Sequence, residues 1–376
     1  MKILFVLENY HPHIGGVEVV FKSLAEGLAK QGHDVTVLTH KLKNTKSFEI
    51  INKVKIHRIN CFHSRYWFTF LAIPKAISLG KKADIIHTTT YNGAFPAFVA
   101  AKLLGKPSLI TVHEVIGKNW KSFQGLTFIG AKIHRFLEKL VMMLKFNKFV
   151  SVSYSTQKHV LKENIPKEKC SVVYNGVDYN FFNPKRYNGE KIRKSLNLKN
   201  NFICLFYGRP GVSKGLEYLI KAIPLINKKI KNFRLLAIVS KDRTYIRRYN
   251  YILDLIKKMN IGKSIILKEH VPRNELPDYI KAADCVIVPS LTEGFGFTTA
   301  ESIAMNKPVV VSNTTSLPEI VSGKYVLVKP ASPEAIAVGV EMVYNKKYDS
   351  KPIKRFTWDD NIKGYLKVYK ELLNKD

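Results

Sequence analysis

The chain has 376 residues, 46% of them hydrophobic and 24% charged, with 61 Lys and Arg against 29 Asp and Glu for a net charge of +32. That length suggests two domains, and the apolar share is enough to bury cores, which excludes a mainly disordered or collagen-like chain. No window approaches the ~18–20 uninterrupted apolar residues of a membrane-spanning helix. The opening MKILFVLENY has only five apolar residues before Glu8 and no small-residue cleavage site, so no secretory signal is expected. The charge surplus is even: residues 1–185 carry 27 basic and 11 acidic side chains, and the remainder 34 and 18. With no basic arm and no recognition module, nucleic-acid binding is not expected, and a surface facing polyanions, or simple solubility, fits better. Cys61, Cys170, Cys204 and Cys285 are scattered without C-x-x-C spacing, which predicts reduced thiols and neither zinc nor a disulfide framework.

In chain order, short apolar runs alternate with helical patterns, the pattern of parallel-sheet α/β architecture. Strands are predicted at Ile3–Leu7, Val35–Thr39, Val54–Ile59, Ile85–His87, Leu109–Val112, Val150–Ser153 and Ser171–Tyr174, with helices such as Val17–Lys30 and Pro96–Leu104 between them. Their lack of polar alternation means that both sheet faces are covered. After the linker NGVDYNFFNPKRYNGE a second series begins, with strands at Phe202–Tyr207, Leu235–Val239, Ile265–Leu267, Val286–Val288, Val309–Val311 and Tyr325–Val328. Helices are predicted at about 214–228, 244–259, 273–283, 297–305 and 333–346. Each series makes a doubly wound domain, with ligand expected beyond the carboxyl ends of its strands. A helical segment after Trp358 has no sheet to follow it.

Four stretches carry chemistry. ENYHPHIGGVE follows the first strand and opens a helix; Gly15 and Gly16 let backbone approach a ligand there, and the free amides of the helix start favour an anion. No G-x-G-x-x-G is present, so a dinucleotide gains no support. The equivalent place in the second half reads GRPGVSKG (Gly208–Gly215), where Arg209 and Lys214 beside a helix start suit a diphosphate. It is not a P-loop, since Gly215 stands where Ser or Thr would hold magnesium. In PSLTEGFGFTTAESIA, Glu293 and Glu301 lie eight residues apart around Gly294 and Gly296. Carboxylates accept two hydrogen bonds, so they suit the vicinal hydroxyls of sugars and riboses. His113 closes a strand in ITVHE, again at a carboxyl end.

Taken together, HPHIGGVE, TVHE, YNGVD, GRPGVSKG, VPSLTEGFGFTTAES, SLPEIV and the terminal FTWDDNIKGY resemble the retaining family-4 (group 1) glycosyltransferases of GT-B architecture, in order and over nearly the whole chain. The resemblance implies two Rossmann-like doubly wound domains facing an interdomain cleft. The acceptor domain would be 1–180 completed by the helix 359–376, and the donor domain 181–358. It further implies that Arg209 and Lys214 hold the donor diphosphate, Glu301 the ribose and Glu293 the transferred sugar. The amides of Gly294, Phe295, Gly296 and Phe297 would contact sugar and phosphate, and Gly15 and Gly16 would approach the phosphates. His113 would line the sugar pocket, and Val271 would read the base through its backbone. One departure is that SGKYVLVKP follows SLPEIV where the family usually has a second glycine pair.

The implied reaction moves a hexosyl group from a nucleotide sugar to a hydroxyl acceptor, possessing no cofactor; no Asp-x-Asp occurs, in keeping with metal independence. The alternatives are a nucleotide-sugar epimerase of the same architecture and, after it, a basic nucleic-acid-binding protein. For the acceptor, Cys61–Lys75 and Lys118–Lys148 combine aromatic residues with positive charge, and the second carries seven Lys or Arg against Glu138 alone. There Ile129, Ile133, Phe136, Leu137, Leu140 and Leu144 recur at helical spacing. Such a helix either lies on an anionic bilayer or turns its apolar side to the sheet. The first option implies a glycan or lipid-linked acceptor and a cytoplasmic enzyme peripheral to the membrane.

Overall fold

The computed structural model describes residues 1–13, 15–62, 64–121, 126–269 and 271–374, with Arg65 and Arg243 described by backbone alone. Ile14 of the first glycine motif, residues 122–125 of the basic stretch and His270 beside Val271 lie outside the described residues. The chain divides into two compact units, one made of Met1–Gly117, Lys132–Gly176 and Phe356–Asp376, the other of Lys118–Ala131 and Val177–Arg355.

Among the described residues the first unit carries an eight-stranded sheet. Its strands are β1 (Lys2–Val6), β2 (Asp34–His40), β3 (Phe48–Ile51), β4 (Val54–Ile59), β5 (Ile85–Thr89), β6 (Ser108–Val112), β7 (Lys148–Ser151) and β8 (Cys170–Val172). The order is β3-β4-β2-β1-β5-β6-β7-β8, parallel except for β3. β1 shows why its sequence does not alternate: Ile3, Phe5 and Leu7 join one buried cluster, Leu4 and Val6 another on the opposite face. The second unit carries β9 (Phe202–Gly208), β10 (Phe233–Val239), β11 (Ile265–Lys268), β12 (Cys285–Val288), β13 (Val309–Ser312), β14 (Gly323–Val328) and β15 (Asp349–Lys351). Their order is β11-β10-β9-β12-β13-β14-β15, with β15 antiparallel.

Both orders reverse direction beside the first strand of the unit, between β1 and β5 and between β9 and β12. A doubly wound sheet binds ligand at such a switch point, where flanking loops part at the carboxyl edge. The glycine motif after β1 and the two motifs after β9 and β12 therefore fall where the topology opens a site. β3 and β15 are the strands that apolar runs did not announce: β15 is Asp-Ser-Lys, fully exposed, and both are antiparallel edges that need no second buried face. All four cysteines are free thiols.

The C-terminal helix Trp358–Leu373 belongs to the first unit, which accounts for a helix with no strand after it. It lays Ile362, Tyr365, Val368, Tyr369 and Leu372 into the core of the first sheet. Gly27 lets the helix Gly16–Lys30 approach it, since a Cβ there would overlap Ile362. Buried tyrosines need partners for their hydroxyls. Tyr369 Oη lies 2.7 Å from His87 Nδ1, Tyr365 Oη 2.8 Å from Thr111 Oγ1, and Thr111 Oγ1 2.8 Å from His87 Nε2. Burial holds His87 well below its usual range, so this network is neutral. Among the described residues no helix is long and apolar enough to cross a membrane.

Candidate functional site

In the second unit the loop after β9 closes into a 3-10 turn, Val212–Lys214, and Gly215 then starts the helix Leu216–Lys229. Gly215 has φ +66°, and a Cβ there would overlap the carbonyl oxygen of Pro289 in the loop after β12. Only glycine fits, so the two loops pack backbone to backbone. A hydrogen bond fixes the contact: Leu291 N–H donates to Ser213 O at 2.7 Å.

Across this seam Lys214 Nζ donates to Glu293 Oε1 at 2.7 Å. Ser290 Oγ donates to the same oxygen at 2.8 Å. Thr315, in the loop after β13, accepts from Glu293 N–H at 2.9 Å through its Oγ1, and Ser316 Oγ donates to Glu293 O at 2.9 Å. Thr315 has φ +44°, a conformation a β-branched residue rarely adopts. Its hydroxyl is held there by the loop it supports. Glu293 is thus oriented on three sides, with Lys214 keeping two of its three N–H donors for another partner.

Gly296, at φ +95°, caps the helix Phe297–Ala304 without a side-chain cap, leaving first-turn amides open to a ligand. Phe295 and Phe297 pack edge to face at 5.2 Å. One turn on, Glu301 is buried, and Tyr207 at the end of β9 donates to its Oε2 at 3.1 Å. Burial pushes the Glu301 carboxyl up to about 7, opposed by Arg273 and by the tyrosine. Arg209, one residue beyond β9, is exposed and makes no ion pair among the described residues. Val271 is half-buried in the loop after β11.

The expected donor groups thus resolve into a joined pair, Lys214 and Glu293; a buried carboxylate, Glu301, on Tyr207; and Arg209 standing apart on the same loop as Lys214. Sequence reasoning missed Tyr207, Arg273, Ser290, Thr315 and Ser316. Tyr207 carries a signal in hindsight, a polar ring at the last apolar step of β9. The others sit in loops whose pairing depends on tertiary contact.

In the first unit Gly15 is extended at the start of the helix Gly16–Lys30, with no side-chain cap for its amides. His113, just past β6, packs edge-on to Phe21 of that helix at 5.9 Å between ring centres. Its Nε2 is shut off from solvent with no hydrogen-bond partner among the described residues. Burial lowers the ring to about 4, opposed by Glu18, so it is neutral at physiological pH. An orphaned buried ring nitrogen costs free energy unless a ligand meets it. Glu8, at the carboxyl end of β1, is a further group that motif reading missed: it is buried and accepts from Asn92 Nδ2 at 2.8 Å, across the β1–β5 switch point. Among the described residues, no group of three or more His, Cys, Asp and Glu side chains is placed to hold a metal ion.

Of the six positions expected to share one apolar face in the basic stretch, five turn outward, while Leu144, just past the helix Phe128–Met143, packs against the core. Ile129, Ile133, Phe136, Leu137, Leu140 and Met143 form one exposed stripe, with Ile129 at 71% and Met143 at 64%. Ala131 and Met142 are the buried side. Lys132 and Lys139 are exposed along one border of the stripe. Glu138 lies on the inner side, accepting from the Ile116 and Gly117 amides at 2.7 and 2.9 Å.

Comparison with known proteins agrees on both halves. Residues 14–181 match the model for Glycosyltransferase Family 4, and residues 188–364 that for Glycosyl transferases group 1. An uncharacterized glycosyltransferase of Methanocaldococcus jannaschii is 30% identical, over 98% of each chain. The UDP-Gal:alpha-D-GlcNAc-diphosphoundecaprenol alpha-1,3-galactosyltransferase of Escherichia coli is 29% identical over 62% of this chain and 58% of its own. Among solved structures, sucrose-phosphate synthase from Thermosynechococcus elongatus superposes with a TM-score of 0.78 at 19% identity, covering all of both chains.

Proposed function

Since the chain belongs to the group 1 glycosyltransferases of GT-B type, which use nucleotide sugars, we propose that it moves a hexosyl group from a nucleoside diphosphate sugar to a hydroxyl acceptor, with retention and without a metal. The observation that carries this reading is the Lys214–Glu293 pair, which joins the two switch-point loops of the second unit. Cleaving the anomeric C–O bond leaves positive charge on the sugar and an added negative charge on the diphosphate. Arg209 and Lys214 stabilise that leaving group, aided by the helix start behind them. Glu301 accepts ribose hydroxyls, and Val271 meets the base through its backbone. Glu293 accepts from hydroxyls of the transferred sugar, with the amides of Gly294 to Phe297 on sugar and phosphate. Gly15 and Gly16 serve the phosphates, and neutral His113 serves the sugar as a hydrogen-bonding group rather than a cation. The acceptor hydroxyl attacks the face the diphosphate leaves, its proton passing to the departing phosphate oxygen as the new C–O bond forms.

A thermal-shift panel of nucleoside diphosphates and their sugars tests the donor reading, because a ligand held by the folded state raises the melting temperature by mass action. At least one diphosphate is expected to raise it; a flat panel counts against the reading. Product formation that needs an acceptor separates transfer from epimerisation of the donor alone.

For the acceptor, the lipid-borne substrate in the name of the E. coli relative and the outward stripe of Phe128–Met143 support a lipid-linked glycan, worked on at an anionic membrane surface by a cytoplasmic, peripheral enzyme. Apolar side chains bordered by lysines bind such a surface by burial and charge together. The chain is expected to float with liposomes containing anionic lipid at low salt and to stay behind with neutral ones. Phe136→Asp with Ile133→Asp is expected to abolish flotation while leaving nucleotide binding intact. Equal behaviour on the two liposome types sinks the membrane reading.

A further inference from the structure

Arg273 lies two residues beyond Val271 in the loop after β11, within the stretch KEHVPRNEL that holds the residue expected to read the base. Its Nη2 stands 3.9 Å from Glu301 Oε1, with the arginine 49% exposed and the glutamate 9%. That separation is an ion-pair distance without a direct hydrogen bond, so the influence is electrostatic. The guanidinium also sits 5.6 Å from the ring centre of Phe181 and 5.9 Å from that of Phe182. Phe182 is buried, so the cation is braced against a fixed aromatic wall instead of sweeping through solvent.

Glu301 is surrounded sparingly. Among the described residues, the titratable and charged groups that face it are Arg273 from the loop after β11 and Tyr207 from β9. Its own helix adds the Ser302 hydroxyl, which donates to Thr298 O at 2.7 Å. One neutral donor and one cation therefore set the state of a buried carboxylate. Ionised, that carboxylate accepts from two hydroxyls at once; protonated, it turns one oxygen into a donor and loses the fit to a vicinal diol.

We propose that Arg273 is a positioning residue for nucleotide recognition, holding Glu301 charged and aimed at the ribose diol without touching the nucleotide itself. This rests on the second unit being the donor site. Burial drives the Glu301 carboxyl toward neutral pH, and the nearby cation opposes that drive, so removing the cation moves protonation further up the pH scale. Nucleotide affinity is then full above the carboxyl's titration and falls as pH drops through it.

The test is calorimetric titration of the full chain with UDP, GDP and ADP from pH 6 to 9, using the parent, Arg273→Met, Arg273→Lys and Glu301→Gln. Titration of the ligand's own phosphate is common to all four proteins and cancels in their ratios. In the parent, affinity for the preferred nucleotide is expected to fall by up to ~10-fold per pH unit on the acid side of the transition. Arg273→Met is expected to shift that fall upward, weakening binding ~5–10-fold at pH 7.5 but less than ~2-fold at pH 9. Arg273→Lys restores most of the loss, and Glu301→Gln flattens the profile. An Arg273→Met loss that is equal at every pH overturns the proposal in favour of direct contact, and no loss at any pH overturns it outright. Failure of the parent to bind any nucleoside diphosphate at any pH overturns the donor reading itself, and the proposal with it.

Discussion

Replacing Arg209 or Lys214 by Met is expected to lower turnover by ~30–1000-fold, about 2–4 kcal/mol of transition-state stabilisation for each cation. The loss should appear in kcat more than in KM, because the diphosphate gains its extra charge as the glycosidic bond breaks. The two variants differ in what else they disturb. Arg209 is exposed and makes no ion pair among the described residues, so Arg209→Met should leave the melting temperature unchanged and report chemistry alone. Lys214 is paired, and Lys214→Met leaves the largely shielded Glu293 carboxylate with Ser290 Oγ and no cation. Part of its loss then comes from a loop that no longer holds its shape. The double variant Lys214→Met/Glu293→Gln separates these contributions, since it removes the stranded charge without restoring the cation. It should recover stability and not turnover. Near-normal kcat in both single variants, measured with the true donor and acceptor, would remove the cations from the mechanism.

The parallel strands were legible because each buries two faces: Ile3 to Leu7 divides between two clusters, and no surface strand could be so uniformly apolar. β15, three exposed polar residues, is defined by pairing with β14 and leaves no such trace. At the site, Gly215, Lys214, Glu293 and Glu301 were legible from residue type and place after a strand. The supports were not. Thr315 reaches Glu293 from 22 residues away, and Arg273 reaches Glu301 from 28, through loops whose mutual approach is fixed only by packing. The Phe128–Met143 helix shows the same limit from the other side. Its periodicity declared an apolar stripe, but which way the stripe faces depends on Glu138 being tied inward by the Ile116 and Gly117 amides.

Gly215→Ala is expected to destabilise the chain by ~2–4 kcal/mol and to abolish nucleotide binding in the fraction that still folds. Two independent costs combine. At φ +66° an added Cβ meets the penalty of the left-handed region, about 1–2 kcal/mol. The same Cβ collides with the Pro289 carbonyl, backbone that cannot rotate away as a side-chain tip would. Relief requires the loops after β9 and β12 to separate, which breaks the bond from Leu291 N–H to Ser213 O and draws Lys214 off Glu293. The stability loss is therefore coupled to a large loss of function, because the separation needed to clear a Cβ only 2.0 Å from the Pro289 oxygen falls directly on the ion pair. Gly262→Ala is the control: it too sits in a loop of the second unit, but a Cβ there meets nothing within 4 Å. That variant should match the parent in urea unfolding and in nucleoside diphosphate titration. Gly215→Ala within ~0.5 kcal/mol of the parent, with full nucleotide affinity, would mean that the loops are not locked together at this glycine, and the paired-loop donor site would lose its structural basis.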